Sequence, residues 1–171
     1  MKIWPILASM VLVTGVNAET PYAGMQSRSV KALSEQQMAD LSAGRGMGLA
    51  LAAELNGYPG PAHVIELADS LDLSTDQRTK VRDLLESMKA EAIPLGSRLL
   101  EQEADLDRQF ATRSVTPESL KASTGAIANT QGVLRETHLK YHLLTSAVLT
   151  APQMMKYAEL RGYDAGHHHH Q

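Results

Sequence analysis

Cysteine is absent from the 171 residues. This removes disulfides, thiolate zinc sites, iron–sulfur clusters and cysteine nucleophiles together. Aromatic residues are scarce, with one Trp, one Phe and five Tyr, so there is no platform on which bases would stack. Sixteen basic residues against nineteen acidic ones leave a net charge of −3, and a phosphate backbone finds no basic footprint. Nucleic acid is therefore not an expected partner. The chain also has no GxSxG, HExxH or CxxC motif. Gly44-Arg45-Gly46-Met47-Gly48 lacks the strand context and spacing of a phosphate loop, and is read as a flexible break between helices. These absences argue against an enzyme and against an organic cofactor. No alternating strand pattern occurs anywhere, and the expected fold class is all-α.

What is present begins with an export signal. Lys2 supplies a basic start, Ile6 to Val16 a mostly apolar run, and Val16-Asn17-Ala18 small residues at a cleavage site before Glu19. The run is shorter than the about 20 apolar residues that a membrane span needs. Residues 1–18 are read as a signal peptide, and no membrane association is expected after cleavage. The expected location is the periplasm, which holds no ATP pool.

One helix-start pattern recurs: Leu33-Ser34-Glu35-Gln36-Gln37, Leu73-Ser74-Thr75-Asp76-Gln77 and Leu149-Thr150-Ala151-Pro152-Gln153. Each is a capping box, in which the Ser or Thr hydroxyl accepts from the N3 backbone N–H and the Gln side chain reaches back to the N-cap N–H. The preceding Leu is placed to staple onto N4, which is Met38, Arg78 and Met154 in turn. Thr116-Pro117 marks a fourth start, with Pro at N1. Between Thr75 and Thr112, the residues Val81, Leu85, Met88, Ala92, Leu95, Leu99 and Leu106 form a heptad seam, with a kink expected at Pro94 near Glu91 to Ile93. A second seam between Pro117 and Val148 runs through Leu120, Thr124, Ile127, Gln131, Leu134, His138, Tyr141, Thr145 and Val148. The short connection Arg113 to Val115 makes the two long helices antiparallel neighbours. Shorter helices are expected at Ala62 to Leu71 and Ala151 to Arg161, with weaker ones at Glu35 to Ser42 and Leu49 to Leu55.

An all-α chain with an export signal, LSTDQ opening one long helix and LTAPQ following the second, resembles the Spy/CpxP-like family of LTxxQ-motif proteins. The motif residues are Leu73, Ser74, Gln77, Leu149, Thr150 and Gln153. The likeness covers roughly Ala62 to Tyr163. It implies a hooked antiparallel helical hairpin, two long helices flanked by shorter ones, assembled as a homodimer. The domain plan is then a signal peptide (1–18), an N-terminal extension with Gly/Pro-rich breaks (19–60), the hairpin (61–163) and a His-rich tail (164–171). Members of the family are non-enzymatic periplasmic stress proteins. Some bind transition metals in heavy-metal resistance or sensing. Others hold unfolded periplasmic proteins without ATP, or regulate the periplasmic domain of an envelope-stress sensor kinase.

Histidine distribution favours the metal branch. His138 and His142 are i, i+4 on one helix face, the spacing that lets two imidazoles share an ion. In an antiparallel hairpin the short helix carrying His63 and Glu66 hooks over the same end, which makes His138, His142, His63 and Glu66 a candidate ligand set. Its N/O donors suit a zinc, copper, nickel or cobalt ion. His167, His168, His169 and His170 form an auxiliary, loosely binding tract. The alternative is that His138 fills a seam position in the core and His142 stays half exposed. For the chaperone branch, Met88, Met154 and Met155 are candidate client contacts, or else core residues at seam spacing.

Overall fold

The computed structural model describes residues 22–163. The expected signal peptide (1–18) and the His167 to His170 tract lie outside the described residues. Among those described the chain is entirely helical: after a 3-10 turn at Met25–Ser27 come α1 (Glu35–Ser42), α2 (Leu51–Glu54), α3 (Pro61–Glu66), α4 (Thr75–Ala111), α5 (Pro117–Ser146) and α6 (Ala151–Arg161).

Local sequence accounts for the helix starts. Capping boxes close at Ser34/Gln37, Ser74/Gln77, Thr116/Ser119 and Thr150/Gln153. The three expected boxes form, and Ser119 completes a further one at the start marked by Thr116-Pro117. Gln77 and Gln153 go beyond capping. The Gln77 amide donates to Gln153 Oε1 (2.8 Å) and to the Val148 carbonyl (3.0 Å), while the Gln153 amide donates back to Gln77 Oε1 (3.1 Å) and to the Leu71 carbonyl (3.2 Å). Each glutamine thus caps its own helix start and also bonds the segment leading into the other's. Arg78, at the position where the other two boxes carry Met, donates to the Leu73 and Ala68 carbonyls and pairs with Asp69. It substitutes hydrogen bonds for an apolar staple.

α4 and α5 pack along each other, and α1 and α3 also lie on α4. Gln109 near the end of α4 meets Ser123 near the start of α5, whereas Glu91 in the middle of α4 receives Lys140 and Tyr141 from the C-terminal part of α5. α4 runs as one continuous helix with Pro94 inside it. α3 is shorter than expected: the chain leaves it after Glu66 and passes through Asp72 at φ 50 before Ser74 caps α4. The second seam also differs. Thr124 and Gln131 are exposed, and Thr130 and Thr137 take the buried ridge beside Ile127, Leu134 and Tyr141. Each threonine is small enough for close packing, and Thr137 returns its hydroxyl to the Val133 carbonyl (3.0 Å).

Two apolar clusters result. One joins Val64, Ala68, Leu71, Leu73, Val81, Leu149 and Tyr157 where α3, α4 and α6 meet; the other joins Leu41, Ala92, Leu99, Ile127 and Leu134 farther along α4 and α5. Each large buried aliphatic stabilises the fold by about 1.5–3 kcal/mol. α1 reaches the second cluster because Gly96 has no side chain: a Cβ there would stand 2.4 Å from the Leu41 carbonyl oxygen.

Gly96→Ala is therefore expected to destabilise the protein by about 1–3 kcal/mol in urea unfolding, although alanine gains about 1 kcal/mol of helix propensity. Gly125→Ala in α5, where nothing lies within 4 Å of the new methyl, is expected to raise stability by up to about 1 kcal/mol.

Candidate functional site

Between the two apolar clusters lies a cavity of about 430 Å³. Leu85 and Met88 of α4, His138 and His142 of α5, His63 and Glu66 of α3, Glu54 of α2 and the Gly44–Gly48 loop line it. All four residues of the expected ligand set thus face one cavity. Among the described residues no group of three or more His, Asp or Glu side chains is arranged as it stands to hold a metal ion.

The glycine loop is more specific than a flexible break. The chain ends α1 in a Schellman arrangement, with Gly44 N–H on the Leu41 carbonyl (3.2 Å), Arg45 N–H on the Asp40 carbonyl (2.9 Å) and Gly44 at φ 65. Gly46 then lies against the His138 ring, where a Cβ would stand 3.4 Å from Nδ1. Gly60 lies against His142, and a Cβ there would stand 2.8 Å from both Cε1 and Nε2. Two glycines of the N-terminal extension therefore let backbone press against two imidazoles.

The histidines differ in their surroundings. His138 is 2% exposed, and its Nε2 is buried with no hydrogen-bond partner. Burial, with a smaller contribution from neighbouring His142, holds this imidazole below the ordinary histidine range and favours the neutral ring. His142 is buried rather than half exposed, and its Nδ1 lies 2.6 Å from the Tyr58 carbonyl. A carbonyl only accepts, so that nitrogen carries the proton. His63 is half-buried, at 39% side-chain exposure.

Glu54 is the residue that sequence reasoning missed. It is 5% exposed, and every polar neighbour it has is a donor. Oε1 accepts from the Tyr157 hydroxyl and from the Tyr163 hydroxyl (3.0 Å), and Oε2 accepts from Gly60 N–H (3.2 Å). His63 Nδ1 lies 3.4 Å from the carboxylate, His142 Nδ1 3.6 Å and Arg161 Nε 3.7 Å. Burial and the adjacent carboxylate push the Tyr157 hydroxyl far above the usual tyrosine range, which keeps it a donor. α6 delivers these groups because Gly162 ends it at φ 72 and returns Tyr163 toward Glu54. Glu66, by contrast, is exposed at the cavity's rim. Of the methionines, Met88 is buried, Met154 packs against the first cluster, and Met155 is exposed. In a short α2 with little periodicity, the one signal for Glu54 was a carboxylate just ahead of the Gly57 to Pro61 breaks.

Two outcomes follow from this geometry. Glu54→Ala strands the Tyr157 hydroxyl and Arg161, and is expected to cost about 3 kcal/mol. Glu66→Ala is expected to stay within about 0.5 kcal/mol, both read from thermal or urea unfolding. The depressed pKa of His138 means that the unfolded chain binds this proton more readily than the folded one. Its contribution to stability is full above the unfolded pKa of about 6.5 and is lost as pH falls toward the folded value. Thermal midpoints from neutral to mildly acidic pH should therefore fall less steeply in His138→Gln than in wild type.

Compared with known proteins, the chain matches no family model, no curated protein and no solved structure.

Proposed function

We propose that the chain is a non-enzymatic periplasmic stress protein of the Spy/CpxP-like type, a dimer of hooked helical hairpins, that binds a transition metal ion in the cavity between its two cores. His138 and His142 supply the first two ligands and His63 the third. Glu66 at the rim and the His167 to His170 tract serve as auxiliary donors. Zinc, copper, nickel and cobalt suit this nitrogen- and oxygen-rich set.

The observation that carries the reading is the His138 Nε2 atom, buried without a partner in a cavity that His63 and His142 also line. An unsatisfied polar atom in an apolar setting is costly unless a ligand uses it. A ring held neutral by burial is in the form a cation binds. The bound state requires movement, and His63 on the short α3 has the exposure to swing inward.

A second reading, ATP-independent holding of unfolded clients, is favoured by a different observation. Met47, Leu51, Leu55 and Tyr58 of the extension are exposed at steps of three and four, and Leu143 of α5 and Met155 of α6 are exposed as well. Such side chains suit adaptable apolar contact.

The test is calorimetric titration with zinc and with copper of protein whose His167 to His170 are replaced by serine, beside the same protein carrying His138→Ala and His142→Ala. Micromolar or tighter binding that the double substitution abolishes is the expected outcome. Absence of binding without the tail would overturn the metal reading. Suppression of aggregation of a denatured client, undiminished by a chelator, would then support the second.

A further inference from the structure

Glu54 and the Tyr58 carbonyl contact the same edge of the histidine set. His142 Nδ1 is 2.6 Å from the Tyr58 carbonyl and 3.6 Å from Glu54 Oε2, and His63 Nδ1 is 3.4 Å from Glu54 Oε1. A carbonyl oxygen can only accept, and carboxylate oxygens serve as acceptors. The Tyr58 carbonyl therefore holds the His142 proton on Nδ1. At His63 the carboxylate oxygen 3.4 Å away favours the proton on Nδ1 electrostatically, without a formed hydrogen bond, and both rings then leave Nε2 with a free lone pair. Gly60 packs its backbone along the Cε1–Nε2 edge of His142, where any side chain would lie 2.8 Å from that nitrogen and block it. His138 Nε2 is the third unengaged nitrogen.

We infer that Glu54 is a positioning residue which, with the Tyr58 carbonyl, sets the tautomers of His63 and His142 so that the cavity is offered Nε2 lone pairs. Carboxylates and carbonyls that hold ligating histidines in this way raise ligand basicity and fix ring orientation. The part of the inference that concerns metal affinity rests on the reading of the cavity as a metal site. The tautomers themselves do not. Glu54 lies in the extension, ahead of the LTxxQ-like region, so residues 54–60 tune a site whose histidines belong to α3 and α5.

Replacing the carboxylate by an amide gives a directional prediction. In Glu54→Gln the carbonyl oxygen is claimed by Gly60 N–H, which needs an acceptor, and the NH₂ group turns toward the tyrosine hydroxyls and His63. A hydroxyl can accept, and so can His63 Nδ1 once its proton moves to Nε2. His63 should change tautomer. His142 should keep its own, because the Tyr58 carbonyl remains.

Long-range proton–nitrogen correlation of ¹⁵N-labelled imidazoles reads this directly, in full-chain protein with His167 to His170 replaced by serine, above the ordinary histidine pKa of about 6.5. The expected result is Nδ1–H on both His63 and His142 in the otherwise unaltered chain, and Nε2–H on His63 alone in Glu54→Gln. Nε2–H on either ring with Glu54 in place would overturn the inference, and that measurement stands whether or not the variant folds. An unchanged His63 in a folded Glu54→Gln would overturn it too. A parallel titration with Zn²⁺ separates the two readings: affinity weakened about 10-fold in Glu54→Gln supports both. The expected tautomers with no Zn²⁺ binding in either protein support the tautomer clamp and overturn only the metal site.

Discussion

The reciprocal amide pair between Gln77 and Gln153 is the constraint on which the rest of the molecule hangs. Each side chain must accept from the N-cap backbone of its own helix, and this fixes the carbonyl end of each amide. The NH₂ ends then have few places to go, and they meet each other's oxygens and the Val148 and Leu71 carbonyls. The starts of α4 and α6 are thereby registered against each other, and with them the end of α5. Amide hydrogen bonds at this part-buried junction contribute about 1 kcal/mol each. Their larger effect is geometric, since they decide which residues of α5 face which residues of α4.

That register places a polar layer between two apolar ones. Leu134 and Ala92 close one cluster, Val81 and Leu149 the other, and His138 and His142 fall between. Two imidazoles in such a layer need partners, and the extension supplies them. Gly46 and Gly60 bring backbone within reach, Tyr58 offers a carbonyl and Glu54 a carboxylate. One buried nitrogen, His138 Nε2, is left over.

The helices were legible because their signals are local. Capping boxes and Pro at N1 or N2 gave the starts of α1, α4, α5 and α6, and an apolar repeat gave the course of α4. The buried ridge of α5 was harder to read. Its polar positions are threonines, equally at home inside or outside, so periodicity alone favoured Thr124 and Gln131 over Thr130 and Thr137. The histidine side of the cavity was legible from i, i+4 spacing. Glu54 was not, because nothing near it in sequence explains burying a carboxylate. Its partners Tyr157 and Tyr163 arrive from the far end of the chain, and only tertiary folding puts them within bonding distance. Glycines that look like spacers in a sequence gave no hint that Gly46 and Gly60 are contact surfaces for rings.

The contacts of Glu54 also bear on the order in which the molecule assembles. They join positions 103 and 109 residues apart, among the largest loops closed by hydrogen bonds among the described residues. Loop-closure entropy makes such contacts slow to form and dependent on the rest already being in place. The paired long helices and the glutamine junction can form without them. Residues 44–60, which cover the histidines and contribute no buried residue to either apolar cluster, are then expected to dock late. Local opening of residues 44–60 alone leaves Leu41 and the second core in place and gives the buried imidazoles a route to solvent that does not pass through global unfolding.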